Sequence, residues 1–514
     1  MSSDSFRRPN VLCFVSDQQR ADHLGCAGDP LLQTPCIDRL AASGMRFRRC
    51  YVNEALCMPS RASLFTGQRS HVHGVHDNRT TLDPRLPTFT GALARAGYRT
   101  HGVGKFHLSV TSLPAHTRAA CHGDPGRLNP REWPESREMW KGGYIGALPA
   151  PYYGLQSALG VGGHGDYVWG DYKNWLKREA PGVAKAIDDW IRAHGEDWTS
   201  TGPSRLPAEL HHSHWIADRV IDFLREQRYS EQPFFCWCSF PDPHHPYHAP
   251  EPYHSLYDPA DMPTPARREG ELENLPPHMR RMVKDYERTP EIMARTYGMI
   301  NNIDANVGRV LNELARLGLR EDTIVIYLAD HGDLMGDHWQ QRKGAYHFDG
   351  LIRVPFIWSW PGHITPGSVN DGIVSLLDLA PTILDLCGVA IPQGSEATEP
   401  LRPLHRQLPP WPGHSLRSIL EGRQETVRHA TVIDGAQETC EGLCMRTLVT
   451  ERYRLTWYAG QRYGEMFDLQ EDSQELHNLW SEPGCQTLRQ ELTAELLEQV
   501  LTEKGHPASR LGCQ

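Results

Sequence analysis

Four short runs, each breaking off into polar residues, constrain this chain more than any other feature. Val11–Val15, Phe234–Phe240 and Thr323–Ala329 are apolar without alternation, and Tyr98–Val103 reads as a fourth strand beside them. Unbroken apolar runs of this length suit strands covered on both faces, and so a parallel sheet with helices packed on either side. Each run stops at residues able to do chemistry: Asp17 and Gln18, Lys105 and His107, His244 and His245, Asp330 and His331. Ligands of open α/β sheets bind just beyond the carboxyl ends of the strands, so four such ends predict one site.

Between the strands, Thr34–Ser43, Thr88–Ala96, Ser213–Gln227, Glu291–Leu317 and Leu376–Cys387 carry helical patterns, and Pro355–Trp360 is a further strand. From about 108 to 210 the periodicity fails amid Gly, Pro, His and aromatic residues, the mark of a substrate-facing insertion. Residues 391–428 read as a linker. Beyond it come short strands (Ala430–Ile433, Thr447–Val449, Tyr453–Tyr458, Glu465–Leu469) and a helix over Thr487–Lys504. The expected fold class is α/β: a large, mostly parallel sheet sandwiched by helices over 1–390, then a smaller α+β domain with an antiparallel sheet over 429–514.

Charge and composition exclude several function classes. A net charge of -10 over 514 residues argues against a nucleic-acid partner. No apolar run reaches membrane-span length, and polar Met1–Asn10 lacks a signal-peptide core, so a cytoplasmic chain with no membrane partner is expected. Thirteen cysteines, odd in number and thinly spread, do not make a disulfide framework. Cys236 and Cys238 lie in an apolar run and read as core.

Cys57 is different. It opens Cys-Met-Pro-Ser-Arg, with Pro59 suited to a first helical turn and Gly67 to a helix stop. A helix N-terminus favours an anion, and Arg61 one turn on adds positive charge. Taken alone, this stretch fits either a buried structural cysteine or an activated thiolate.

In Cys57-Met-Pro-Ser-Arg61, followed by Ala-Ser-Leu-Phe-Thr-Gly, the chain resembles the signature of the type I sulfatases of the alkaline phosphatase superfamily. Asp17-Gln18-Gln19-Arg20, Gly104-Lys-Phe-His107, Asp242-Pro-His-His-Pro-Tyr247 and Asp330-His-Gly-Asp-Leu-Met-Gly-Asp-His338 resemble further family blocks in the family's order. Lys343 with Ile352-Arg-Val-Pro355 continues the last. The resemblance implies an alkaline phosphatase-like fold and hydrolysis of a sulfate ester. Its nucleophile would be a formylglycine hydrate made from Cys57 by a formylglycine-generating enzyme that reads Pro59 and Arg61. It further implies a divalent cation, Ca2+ or Mn2+, on Asp17, Gln18, Cys57, Asp330 and His331. Arg61, Lys105 and Lys343 would bind sulfate, His107 would assist at sulfate, and His244, with His245 as rival, would protonate and contact the leaving group. The implied substrate is small and sulfated: aryl, sugar or choline-like. Oligomeric state stays open, a homo-oligomer included. Gln18 and His331 depart from the Asp and Asn of many sulfatases and resemble phosphonate monoester and phosphodiester hydrolases of the superfamily, which become the alternative. A non-catalytic binding protein on the same fold is the third reading.

Overall fold

Every residue of Asn10–Ser16, Phe234–Ser239 and Thr323–Ala329 is buried, as two-sided coverage requires. The computed structural model describes residues 8–283, 286–392, 408–437 and 443–503. In chain order its strands are β1 (Asn10–Ser16), β2 (Met45–Tyr51), β3 (Arg99–Gly104), β4 (Ser157–His164), β5 (Tyr167–Gly170), β6 (Thr201–Pro203), β7 (Phe234–Ser239), β8 (Tyr247–Ala249), β9 (Thr323–Ala329), β10 (Phe356–Ser359) and β11 (Ser368–Ser375). There follow β12 (Ala430–Gln437), β13 (Leu443–Thr450), β14 (Tyr453–Tyr458) and β15 (Gly464–Asp468).

Nine strands form one sheet in the order β11-β2-β10-β9-β1-β7-β3-β4-β5. Only β10 and β5 run against the others. Side chains alternate between two cores. Val11, Cys13, Val15, Phe235, Trp237, Ile324 and Ile326 face one, together with Met58, Ala62 and Phe65 of the Cys57–Thr66 helix. Leu12, Phe14, Cys236, Cys238, Val325 and Tyr327 face the other, under the helices His212–Gln227 and Thr289–Arg316. Cys236 and Cys238 are core residues whose thiols burial pushes up. The second sheet, β12-β13-β14-β15, is an antiparallel meander, and its Val432, Leu448 and Leu455 pack with Leu492 and Leu496 of the Gln486–Glu503 helix.

The 108–210 stretch is more ordered than its sequence suggests. It supplies β4 and β5 to the main sheet and two helices, Asp171–Glu179 and Pro181–His194. Its aromatic residues mostly pack inward: Tyr152, Tyr153, Tyr167, Trp169 and Tyr172 are buried, and Tyr144 is exposed. Outside this stretch three further strands go unrecognised in the sequence, β2, β8 and β11, of which β2 and β11 pair with each other in parallel. Of the expected linker, 393–407 lies outside the described residues. Among the described residues no helix is long and apolar enough to cross a membrane.

Trp237 is fully buried, and its ring meets Phe65 edge-on at 5.0 Å, joining the sheet to the helix that begins at Cys57. Trp237→Ala is expected to lower unfolding free energy by about 3–5 kcal/mol, read from urea unfolding monitored by circular dichroism.

Candidate active site

Five contiguous parallel strands, β9, β1, β7, β3 and β4, end at the same edge of the sheet, and chemistry-bearing side chains follow or close each one. Arg61 ties four of these ends together. Its Nε donates to Asp330 Oδ2 at 2.7 Å, and Nη1 donates to the Lys105 carbonyl and to Ser239 Oγ, both at 2.9 Å. Nη2 lies 3.8 Å from Asp17 Oδ2 and has no hydrogen-bond partner. Gly104 makes the approach possible: its φ is +108°, and a Cβ there would run into the Ser239 carbonyl oxygen.

Cys57 is the first residue of its helix, which stops at Gly67 in the left-handed region. Its Sγ receives Lys343 Nζ at 2.7 Å and lies 3.2 Å from His331 Nε2 and 3.7 Å from Asp17 Oδ1. Burial and Asp17 oppose ionisation of the thiol, but Lys105, Lys343 and His331 outweigh them and hold it below its ordinary range. The Asp17 carboxyl is likewise raised by burial but held well below the carboxylate range by Lys105, which is ion-paired to it, and by further cationic neighbours.

The donors fit a divalent cation. Ligating atoms of Asp17, Cys57, Asp330 and His331 all lie within 4.8 Å of one another, and all four residues are buried. His331 Nδ1 donates to the Gly332 carbonyl at 2.8 Å, which turns Nε2 inward. Gln18 donates Nε2 to Asp333 Oδ2 at 2.6 Å, leaving its buried Oε1 without a partner. Among two carboxylates and an amide oxygen, an imidazole shifts the donor set from the all-oxygen type that suits Ca2+ toward Mn2+ or another transition metal.

His244 Nδ1 donates to the His245 carbonyl at 2.5 Å, and its Nε2 accepts from Lys343 Nζ at 3.2 Å. His245 Nδ1 faces Gln18 Nε2 at 3.4 Å. Burial first, then the cationic neighbours, depress both imidazoles well below the usual histidine range. His107 is buried near Lys105 and Arg61 with Nδ1 unpartnered. The structure thus brings together all the candidate residues, with Arg61 turned to the carboxylates more than to open space.

Three contributors escaped the sequence reading. Asp333 accepts from Gln18 and, through Oδ1, from the Arg342 N–H at 2.7 Å, fixing the turn that carries Lys343. Its signal was present, inside the Asp330–His338 block. Glu135 accepts the N–H groups of His107, Leu108 and Ser109 at 2.7–2.9 Å and the Tyr152 hydroxyl at 2.6 Å. His164, the last residue of β4, accepts from Lys105 Nζ at 2.7 Å and lies 3.4 Å from Asp17 Oδ2. Burial, then Lys105, lower its pKa to about 3, so its ring is neutral. Nothing in the sequence around Glu135 or His164 marks either residue.

Behind the site, His211, His212 and Asp242 form a second buried group of metal-type donors. His212 Nε2 and Asp242 Oδ1 lie 3.7 Å apart, each without a hydrogen-bond partner, while Ser213 Oγ donates to Asp242 Oδ2 at 2.8 Å. Burial lifts the Asp242 carboxyl to about 7.

Comparison with known proteins agrees with this geometry. The family model described as Sulfatase matches residues 9–389, and the one for the C-terminal part of N-sulphoglucosamine sulphohydrolase matches 337–502. An arylsulfatase of Clostridium perfringens is 29% identical over 98% of this chain and 99% of its own. An N-acetylglucosamine-6-O-sulfatase of Bacteroides thetaiotaomicron is 25% identical over 96% of this chain and 86% of its own. Among solved structures, the phosphonate monoester hydrolase of Agrobacterium radiobacter is similar with a TM-score of 0.76 and 25% identity over 96% of both chains.

Arg61→Met leaves Asp17 and Asp330 buried without their guanidinium. In chelator-treated protein it is expected to cost about 3–5 kcal/mol in urea unfolding, with Arg61→Lys between it and wild type because the charge is kept but the fork is lost.

Proposed function

The chain belongs to the sulfatase family, and we propose that it hydrolyses a sulfate ester to an alcohol and inorganic sulfate at the site around Cys57. The observation that carries this reading is the setting of the Cys57 Sγ, against Lys343 Nζ, His331 Nε2 and Asp17 Oδ1 in one buried cluster. Sγ stands for a hydroxyl oxygen of the formylglycine hydrate that Cys57 would become. Cys57 is 1% exposed, so its conversion by a formylglycine-generating enzyme would precede folding.

The modified side chain supplies two hydroxyls on one carbon, one to attack sulfur and one whose deprotonation lets sulfate leave. Asp17, Gln18, Asp330, His331 and residue 57 would hold a divalent cation, which would supply neutralisation of the sulfate oxygens and a more acidic nucleophile. The remaining work falls to this chain's other side chains. Lys105 and Lys343 hold the negative charge that builds as the ester S–O bond breaks. The proton shared between Lys343 Nζ and His244 Nε2 passes to the leaving oxygen. His244 is favoured over His245 because its Nε2 faces Lys343, while His245 turns to Gln18. His107 serves the sulfate side, binding sulfate or taking a proton as it departs. Arg61 acts mainly by holding Asp17 and Asp330. The substrate is a small sulfated molecule of aryl, sugar or choline type.

One observation favours a second reading. Gln18 and His331 replace the more usual Asp and Asn, and the similar Agrobacterium structure is a phosphonate monoester hydrolase. Parallel kcat/KM measurements on aryl sulfate, aryl phosphonate and aryl phosphodiester separate the two. Sulfate is expected to lead; sulfate trailing both others hands the conclusion to the second reading. Intact-mass analysis is expected to show loss of the Cys57 thiol. Cys57→Ser is expected to lose most activity, since serine offers no second hydroxyl, and near-full activity would overturn the mechanism. Elemental analysis of the purified protein is expected to find one divalent cation per chain, with Mn2+ retained over Ca2+ in competition.

A further inference from the structure

His164 stands where three features of the site meet. Its ring lies against His244 with centroids 3.8 Å apart and planes 13° from parallel. His244 is covered on its other face by His245, at 3.9 Å and 22°. The imidazole facing the leaving group is therefore the middle of a three-ring stack, held by backbone only through its Nδ1 donation to the His245 carbonyl. At its outer edge the stack is anchored by Lys105, whose Nζ donates to His164 Nε2 at 2.7 Å.

The fold commits His164 to this place. It closes β4, the fifth of the contiguous strands whose carboxyl ends form the site, and pairs with Tyr167 across the tight turn to β5. Gly165 in that turn has φ +54°, and a Cβ there would lie 2.8 Å from Pro246 Cγ and 3.0 Å from His248 Nδ1. The Asp166 N–H also donates to His248 Nδ1, at 3.3 Å. Only a glycine lets the turn close onto the loop that carries His244 and His245.

We propose that His164 is a positioning residue for leaving-group protonation: its ring stacks on His244 and keeps Nε2 aimed at Lys343 and the ester oxygen. It touches no reacting atom. Without it, one face of His244 is open, and the ring can tilt about its single backbone bond. A ring in contact with the face of His244 occupies the space into which that imidazole would tilt, and small misplacements of a catalytic group lower rates steeply. The proposal rests on the assignment of His244 to leaving-group protonation, and the test is built to separate the two.

The readout is the dependence of kcat/KM on leaving-group pKa across substituted phenyl esters, in whichever ester class the wild type turns over. A misplaced acid penalises poor leaving groups and spares good ones, so the slope steepens; a general loss of structure lowers every substrate alike. His164→Asn keeps an acceptor for Lys105 but removes the ring. His164→Phe keeps the ring but removes the acceptor. His164→Asn is expected to lose about tenfold to a hundredfold on the poorest leaving groups and only a few-fold on 4-nitrophenyl. His164→Phe is expected to keep a slope near wild type. Unfolding midpoints and cation content, measured alongside, are expected to stay near wild type in both. His244→Ala is the reference. If it steepens the slope and His164→Asn does not, or if Asn and Phe behave alike, the inference is overturned. If His244→Ala itself leaves the slope unchanged, the acid assignment falls and the inference with it. A wild type silent on every ester overturns the proposed function first.

Discussion

The buried Arg61 guanidinium is the interaction on which the rest of the site depends. Asp17 and Asp330 end neighbouring central strands with their carboxylates fully buried, an arrangement that repels itself unless something positive lies between. Arg61 does this from the helix that starts at Cys57, so one side chain fixes that helix against both carboxylates. Its bonds to the Lys105 carbonyl and Ser239 Oγ carry the same constraint to two more strands. A planar fork with five donors can satisfy so many partners at once; a lysine cannot. The Arg of the Cys-x-Pro-x-Arg pattern thus has a structural reason that is separate from any contact with sulfate.

Much of the arrangement was legible because burial on both faces leaves a plain mark. Val11–Val15 and Thr323–Ala329 are so apolar that they fit little besides central strands, and the polar residues after them had to lie at the sheet edge. β2 and β11 were missed for the converse reason. Met-Arg-Phe-Arg-Arg-Cys-Tyr and Ser-Val-Asn-Asp-Gly-Ile-Val-Ser carry arginines, Asp and Gly because they lie on the outer side of the sheet, where one face is partly open. β4 hid in glycine. Ser-Ala-Leu-Gly-Val-Gly-Gly-His has small residues where Trp169 of β5 packs across the sheet. The residue missed as a consequence, His164, is the one that completes the fifth strand end. Glu135 left no trace because it works through backbone N–H groups, which every sequence offers.

The environment of Cys57 also differs in origin from its sequence reading. The helix terminus predicted electropositive character from free N–H groups. One of these, at Met58, is taken by Asn78 Oδ1 at 3.0 Å. The positive character comes instead from Lys343, Lys105 and His331, all delivered from strand ends or the turn beyond β9. Charges brought in by the sheet can be aimed at one atom, while a helix terminus offers only a diffuse partial charge.

That charge pattern bears on which ester is cleaved. A sulfate monoester and a phosphodiester each present one negative charge, so the cluster of Lys105, Lys343, Arg61 and a bound cation would attract both alike. Selection between them must act on what differs, namely the shape around sulfur or phosphorus and the second substituent that a phosphodiester or phosphonate monoester carries. On the proposed assignment of His244, the groups on the leaving-group side are those of the His244 loop and of the β4–β5 turn packed on it. Those two segments meet at Gly165 and through the His164–His244–His245 stack, and the turn belongs to the 108–210 stretch. On that proposed assignment, discrimination and leaving-group protonation share one support, and a change in that turn made for selectivity would be felt at His244.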